Sequence, residues 1–197
     1  NNIVIEEFLE GPEVSVFSFT DGETVVPMIS SMDHKRALDG DKGLNTGGMG
    51  AVSPVPFAGE AFMKKIEDTI VRPTVEGLNK DGIVYTGFVF FGLINVDGTP
   101  KVIEYNVRMG DPETEAVIPR VESDLLEALW AASQGRLGEV DFHIDTRAAV
   151  TVVLVSGGYP EEYEKGKVIK GLDAVDENSI VFHSGTALNE NGEVVTA

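Results

Sequence analysis

Apolar residues at four-residue spacing, Phe62, Ile66 and Ile70, mark Glu60 to about Asn79 as a helix with one buried stripe, which Pro73 kinks or restarts. Two β-rich runs, Val14 to Thr20 and Thr24 to Ile29, flank Asp21-Gly22 and predict a hairpin. Ile3 to Leu9 reads as a further strand. Ile83 to Asn95 is apolar almost throughout, as for a strand buried on both faces. Asp97-Gly98 turns it into a strand ending at Asn106, so 83–106 is predicted as a central antiparallel hairpin.

Further on, Asp111 and Pro112 suit the start of a short helix that Pro119 ends. Ser123 is the expected cap of a second helix, Asp124 to Gln134, with Leu125, Leu126, Leu129 and Trp130 as its buried face. A linker over Gly138 to Thr146 leads to a strand over Ala148 to Val155 and then to an acidic, turn-rich tail of short strands. The fold class is α+β. Its expected division is a large domain over 1–140 and a truncated β-rich domain over 141–197.

Composition narrows the function. The chain has 197 residues, 42% of them apolar, enough for a sizeable core. No apolar run approaches a membrane span, and no signal-peptide pattern opens the chain. The absence of cysteine rules out disulfides, thiol catalysis and thiolate metal sites within these residues, and is compatible with a cytoplasmic protein. A net charge of −18 argues against nucleic acid as a partner. Phosphate ligands would have to be held by local Arg and Lys, backbone N–H groups and metal ions. Asn1-Asn2 lacks an initiator Met and Glu193 to Ala197 stops in a strand-like run, so a fragment is expected.

Three stretches carry candidate chemistry. In Lys101 to Glu113 a strand projects Glu104 and Asn106 to one face, and Arg108, Gly110 and Asp111 follow in a sharp exit. A carboxylate and an amide oxygen beside an arginine suit a hard cation that bridges phosphates. Asp111 fits either this turn or a helix cap. Asp33 to Ala51 has no secondary-structure period and mixes Lys35 and Arg36 with a glycine cluster, a composition that can cradle an anion or simply stay flexible. Glu6 to Glu13 holds four carboxylates, a Gly-Pro turn and Phe8; it can edge a ligand or face solvent as strand charge. His34, His143 and His183 lack ligand spacing, and no nucleophile elbow, dinucleotide fingerprint or Gly-x4-Gly-Lys-Ser/Thr loop occurs. Together these stretches suit phosphoryl transfer, which needs positioning and charge neutralisation above all.

In chain order, Val4-Ile-Glu-Glu-Phe-Leu9 with Glu13, Asp33-His-Lys-Arg36, Asn45-Thr-Gly-Gly-Met-Gly-Ala51, Tyr85-Thr-Gly-Phe88, Val102 to Glu113, Ser156 to Pro160 and Phe182 to Thr186 resemble the phosphoribosylamine–glycine ligase family. The resemblance implies an ATP-grasp central antiparallel sheet with flanking helices, plus part of a small β-rich C-terminal domain. It implies ATP with Mg²⁺ or Mn²⁺, and glycine and 5-phosphoribosylamine as substrates of a cytoplasmic ligase of purine biosynthesis. Glu6, Glu7, Phe8 and Leu9 would meet the adenine, Glu13 the ribose, and Arg36 and Asn45 the phosphates. Glu104 and Asn106 would hold the metal; Arg108, Asp33, Lys35 and the Gly110-Asp111 turn would line the acceptor side. Gly92-Leu-Ile-Asn95 offers no acid where many ATP-grasp enzymes place another ligand. Alternatives from the residues are an ATP-grasp ligase for a different acid, or a nucleotide-binding or structural module without activity. With the family's N-terminal domains missing, this stretch alone is expected to fold but not to catalyse.

Overall fold

The computed structural model describes residues 3–197; Asn1 and Asn2, part of the terminus discussed above, lie outside the described residues. The first strands are β1 (Glu13–Thr20), β2 (Val25–Asp33), β3 (Arg36–Leu38), β4 (Lys42–Asn45) and β5 (Gly50–Ser53). Helices α1 (Glu60–Ile66) and α2 (Arg72–Lys80) follow, joined by a π turn over Glu67–Val71. The chain continues through β6 (Gly87–Val96), β7 (Thr99–Asn106), α3 (Glu113–Val117) and α4 (Leu125–Ser133). Strands β8 (Ala149–Val152), β9 (Thr186–Leu188) and β10 (Val194–Thr196) complete it. None of these helices is long and apolar enough to cross a membrane.

The chain divides into two compact units that are not simple segments. The first comprises the described residues up to His34 together with Gly50–Val152, and the second Lys35–Met49 with Val153–Ala197. The sequence reading draws its line at 140/141 instead.

A six-stranded antiparallel sheet in the order β7-β6-β1-β2-β5-β8 forms the first unit. Strand β1 is buried along nearly its whole length because both faces of the sheet are covered. Val14, Val16, Phe91 and Leu93 pack with Ile66, Ile70 and Val71 of the long helix. On the opposite face Phe17, Phe19 and Phe90 pack with Val117, Ala128, Ala132 and Leu137. Phe17 and Phe90 meet edge to face with ring centroids 5.4 Å apart, a favoured aromatic geometry.

The predicted 60–79 helix with its core stripe is present. Pro73 lies in the first turn of α2, and the turn before it widens so that the Arg72 N–H donates to Glu67 O. The widened turn carries the chain past a residue that has no N–H to give.

Five expectations are corrected. Ile3 to Leu9 is not a strand among the described residues: it has no ladder, and Ile3, Val4, Ile5 and Phe8 are exposed. The β6–β7 hairpin is not central, since β7 is the outer strand. The 33–51 stretch is not a period-free loop. It holds the β3–β4 hairpin, whose turn uses positive φ at Gly40 and Asp41, and polar strands this short leave no hydrophobic period to read. Asp124, not Ser123, caps α4 by accepting from the Glu127 N–H. The buried face of α4 is Ala128, Ala131 and Ala132, while Leu126, Leu129 and Trp130 are exposed: it is the alanine side that packs on Phe17, Phe19 and Phe90.

In the second unit β3 pairs with β4 and β9 with β10, as two separate two-stranded sheets. Val168 bridges to Val195, and Tyr159 and Tyr163 meet edge to face.

Phe17 is fully buried in the core. Phe17→Ala is expected to cost about 3–5 kcal/mol in urea unfolding. A loss below about 1 kcal/mol would show that the two core layers do not depend on it.

Candidate active site

The register of β6 against β7 places the first candidate pair. Leu93 pairs with Val102 and Gly92 with Glu104, so Ile103 is an extra residue on β7. Such a bulge re-aims the residues after it. Tyr105 turns to the helix side, where its ring meets Phe91 edge to face at 5.6 Å. Glu104 and Asn106 share the other face, and Asn106 Nδ2 donates to Glu104 Oε1 at 3.2 Å. Gly92 makes room for Glu104: a Cβ there would lie 2.9 Å from Glu104 Cγ.

This donor set fits a hard divalent cation. A half-turn of the Asn106 amide exchanges its donor for its oxygen. Octahedral Mg²⁺ with ligands at about 2.0–2.1 Å holds neighbouring oxygens about 3 Å apart, close to the separation seen here. Among the described residues no group of three or more metal-ligating side chains is assembled. The pair therefore suits an ion whose other ligands are phosphate oxygens and water.

The same face continues onto β1, where Ser15 pairs with Gly92. The Ser15 hydroxyl donates at 2.8 Å to Oε1 of Glu113, the first residue of α3, which is only 4% exposed. A side chain at Gly110 would overlap the Glu113 carboxylate. The Gly110 carbonyl accepts from the Thr114 N–H at 3.1 Å and from the Thr114 hydroxyl. Arg108 is exposed on the strand exit, its Nη1 donating to Met109 O at 2.9 Å. Asp111 does not cap α3, because Pro112 occupies that position and no side chain serves it. Reading the sequence alone missed Glu113 and Ser15. Their 98-residue separation leaves no local signal.

The remaining candidates fall in both units. Glu6, Glu7 and Phe8 are exposed, Leu9 is half-buried, and Glu13 opens β1. Glu7 is tied to β7 through Lys101 Nζ at 2.9 Å, an exposed ion pair that adds little stability. Asp33 ends β2, pairing with Ala51. In the second unit Arg36 and Asn45 are direct partners across β3–β4, so those two are brought together. Arg36 Nη1 donates to Gly43 O at 3.0 Å, and the Lys35 carbonyl accepts from both the N–H and hydroxyl of Thr46.

Elsewhere in the first unit, buried Arg120 donates to Ser53 Oγ and to Asp145 O, each at 2.8 Å. Burial lowers its pKa, which the Asp145 charge partly restores. Burial also raises the carboxyl of Glu115, with Asp111 and Glu113 adding like charge against a backbone hydrogen bond that lowers it.

Residues 1–114 match the family model described as phosphoribosylglycinamide synthetase, ATP-grasp (A) domain, and residues 149–197 match that of the C domain. A phosphoribosylamine–glycine ligase of Yersinia pestis is 50% identical over 198 residues, covering 100% of this chain and 46% of the relative. A bifunctional purine biosynthetic protein of Pichia angusta is 49% identical over 199 residues, or 100% of this chain and 25% of that protein. The crystal structure of a phosphoribosylamine–glycine ligase from Thermotoga maritima superposes with a TM-score of 0.84 at 38% identity, covering 97% of this chain and 46% of that one. The chain thus spans under half the length of these relatives.

Glu115 supplies a test of the local field. Its raised pKa means the folded state binds the proton more tightly than the unfolded chain. The stabilisation is fully present below the ordinary glutamate range and is lost as pH rises through the folded value. Glu115→Gln should therefore raise the melting temperature at neutral pH, and by less near pH 4 (about the ordinary glutamate value). An equal gain at both would exclude charge as the cause.

Proposed function

Because the chain belongs to the phosphoribosylglycinamide synthetase family, matching its ATP-grasp and C domains, we propose that the full-length protein joins glycine to 5-phosphoribosylamine using ATP. The products are glycinamide ribonucleotide, ADP and phosphate, in a cytoplasmic step of purine biosynthesis. The observation that carries this reading is the Glu104–Asn106 pair, a two-donor oxygen site on a strand face. The ATP-grasp assignment itself brings with it ATP and a divalent cation.

A carboxylate oxygen of glycine attacks the γ-phosphorus of ATP, and the bond to the departing ADP oxygen breaks. The amine nitrogen of phosphoribosylamine then attacks the carbonyl carbon of the acyl phosphate; phosphate leaves and the nitrogen gives up a proton. Neither step calls for a side-chain nucleophile, only for orientation, charge neutralisation and exclusion of water. Glu104 and Asn106 would hold Mg²⁺ or Mn²⁺, which when bound neutralises charge on the phosphoryl oxygens. Arg36 and Asn45 bind the nucleotide phosphates, the backbone of Glu6 to Leu9 meets the adenine, and Glu13 the ribose. Asp33, Lys35, Arg108 and the Gly110-Asp111 turn serve the acceptor side. The activity is assigned to the full-length protein; residues 1–197 alone are expected to show none.

The test is phosphate release by the full-length protein, which should require glycine and phosphoribosylamine together. Release with a different acid or amine in their place would overturn the substrate assignment. Glu104→Ala should abolish metal-dependent turnover while leaving the circular dichroism spectrum unchanged; full activity at ordinary Mg²⁺ would remove it from the metal. Arg36→Ala should raise KM for ATP more than KM for glycine, and the reverse pattern would move Arg36 to the acceptor side.

A further inference from the structure

We propose that Glu113 is a positioning residue for this reaction: its buried carboxylate clamps the Arg108–Asp111 turn onto the sheet face that carries Glu104 and Asn106. The inference rests on the function proposed above and concerns a residue outside the metal pair.

Three observations converge on it. Ser15, Gly92 and Glu104 are successive register partners on β1, β6 and β7, so they form one row on one face of the sheet. Glu113 is fastened to the Ser15 end of that row by a 2.8 Å hydrogen bond, and Glu104 lies over the open Gly92 position. The turn is fastened to Glu113 in its own way. The carboxylate fills the space a side chain at Gly110 would take, and the Thr114 N–H and hydroxyl hold the Gly110 carbonyl one helical turn further on.

The consequence is a fixed offset between two sets of groups. Glu104 and Asn106 are set by the β6–β7 ladder. Arg108 and Asp111 lie beyond the end of that ladder and are exposed, and the sheet's hydrogen bonds no longer hold them. After residue 106 the chain returns to the sheet through the packing of Met109 and of Val117 in α3, and the Glu113–Ser15 hydrogen bond is the polar contact that fixes the turn there. Reacting groups lose rate steeply when displaced by about 1 Å, roughly 100-fold in unfavourable cases. A clamp of this kind acts on catalysis while touching no substrate.

Gln keeps the length and the accepting oxygen of Glu, so it can still take the Ser15 hydrogen bond. Ala cannot. Steady-state kinetics of the full-length protein, with melting temperatures alongside, should therefore separate the variants. Glu113→Ala is expected to lower kcat about 100-fold and to raise KM for glycine and phosphoribosylamine, with KM for MgATP unchanged within about twofold. Glu113→Gln should restore most of the loss. Ser15→Ala should reproduce the Glu113→Ala pattern, and the double variant should be no worse than either single, as for residues acting as one unit.

Uniform loss in proportion to the folded fraction, with every KM unchanged, would reduce Glu113 to a packing role and overturn the proposal. So would Glu113→Gln being as damaging as Glu113→Ala, which would mean the charge itself is used. If the wild-type protein does not couple glycine and phosphoribosylamine to ATP, the function assignment fails and this proposal falls with it. An active wild type with uniformly affected variants removes this proposal alone.

Discussion

Antiparallel pairing of β7, β6 and β1 in one register is the constraint on which the site depends. It aligns Glu104, Gly92 and Ser15 in a row across three strands. Because directly paired residues point to the same face, the register alone decides that a carboxylate on the outer strand and a hydroxyl on an inner one share a surface. A slip of one residue would send Glu104 through to the helix side. The aromatic layers on both faces oppose such a slip, since Phe17, Phe19, Phe90 and Phe91 are each committed to one layer.

Glycine recurs where this surface needs room. At Gly92 the space of the missing side chain is taken by the Glu104 Cγ methylene, and at Gly110 by the Glu113 carboxylate. Two acids are thereby brought onto one face of a chain that already carries a net charge of −18. Glu113 is partnered by the Ser15 hydroxyl, and Glu104 by the Asn106 amide on the exposed part of that face.

Departures from the sequence reading share one cause. Local rules recognise an element but not what it packs against. The helix over 125–133 was legible, yet its inward face is the alanine side, packed on the aromatic residues of the sheet, and which side faces inward is set by those distant residues. Ser123 and Asp124 are both good caps, and only backbone geometry distinguishes them; Ser123 instead accepts from the His143 N–H. Ile3 to Leu9 has strand composition but no neighbouring strand among the described residues, and composition without a ladder does not make a strand.

The sequence by itself determined the α+β class, the β1–β2 and β6–β7 hairpins, the long helix interrupted near Pro73 and the placing of Glu104 and Asn106 on one face. All of these follow from spacings of a few residues and from turn chemistry. Motif order along the chain was enough to indicate the family. Only the tertiary structure decided that β7 is an outer strand, that Arg36 and Asn45 are cross-strand partners, and that Glu113 is buried against Ser15. Those facts depend on register and on contacts between residues far apart in the chain. The free energy that selects them comes from burying whole faces of the sheet, which no short window of sequence contains.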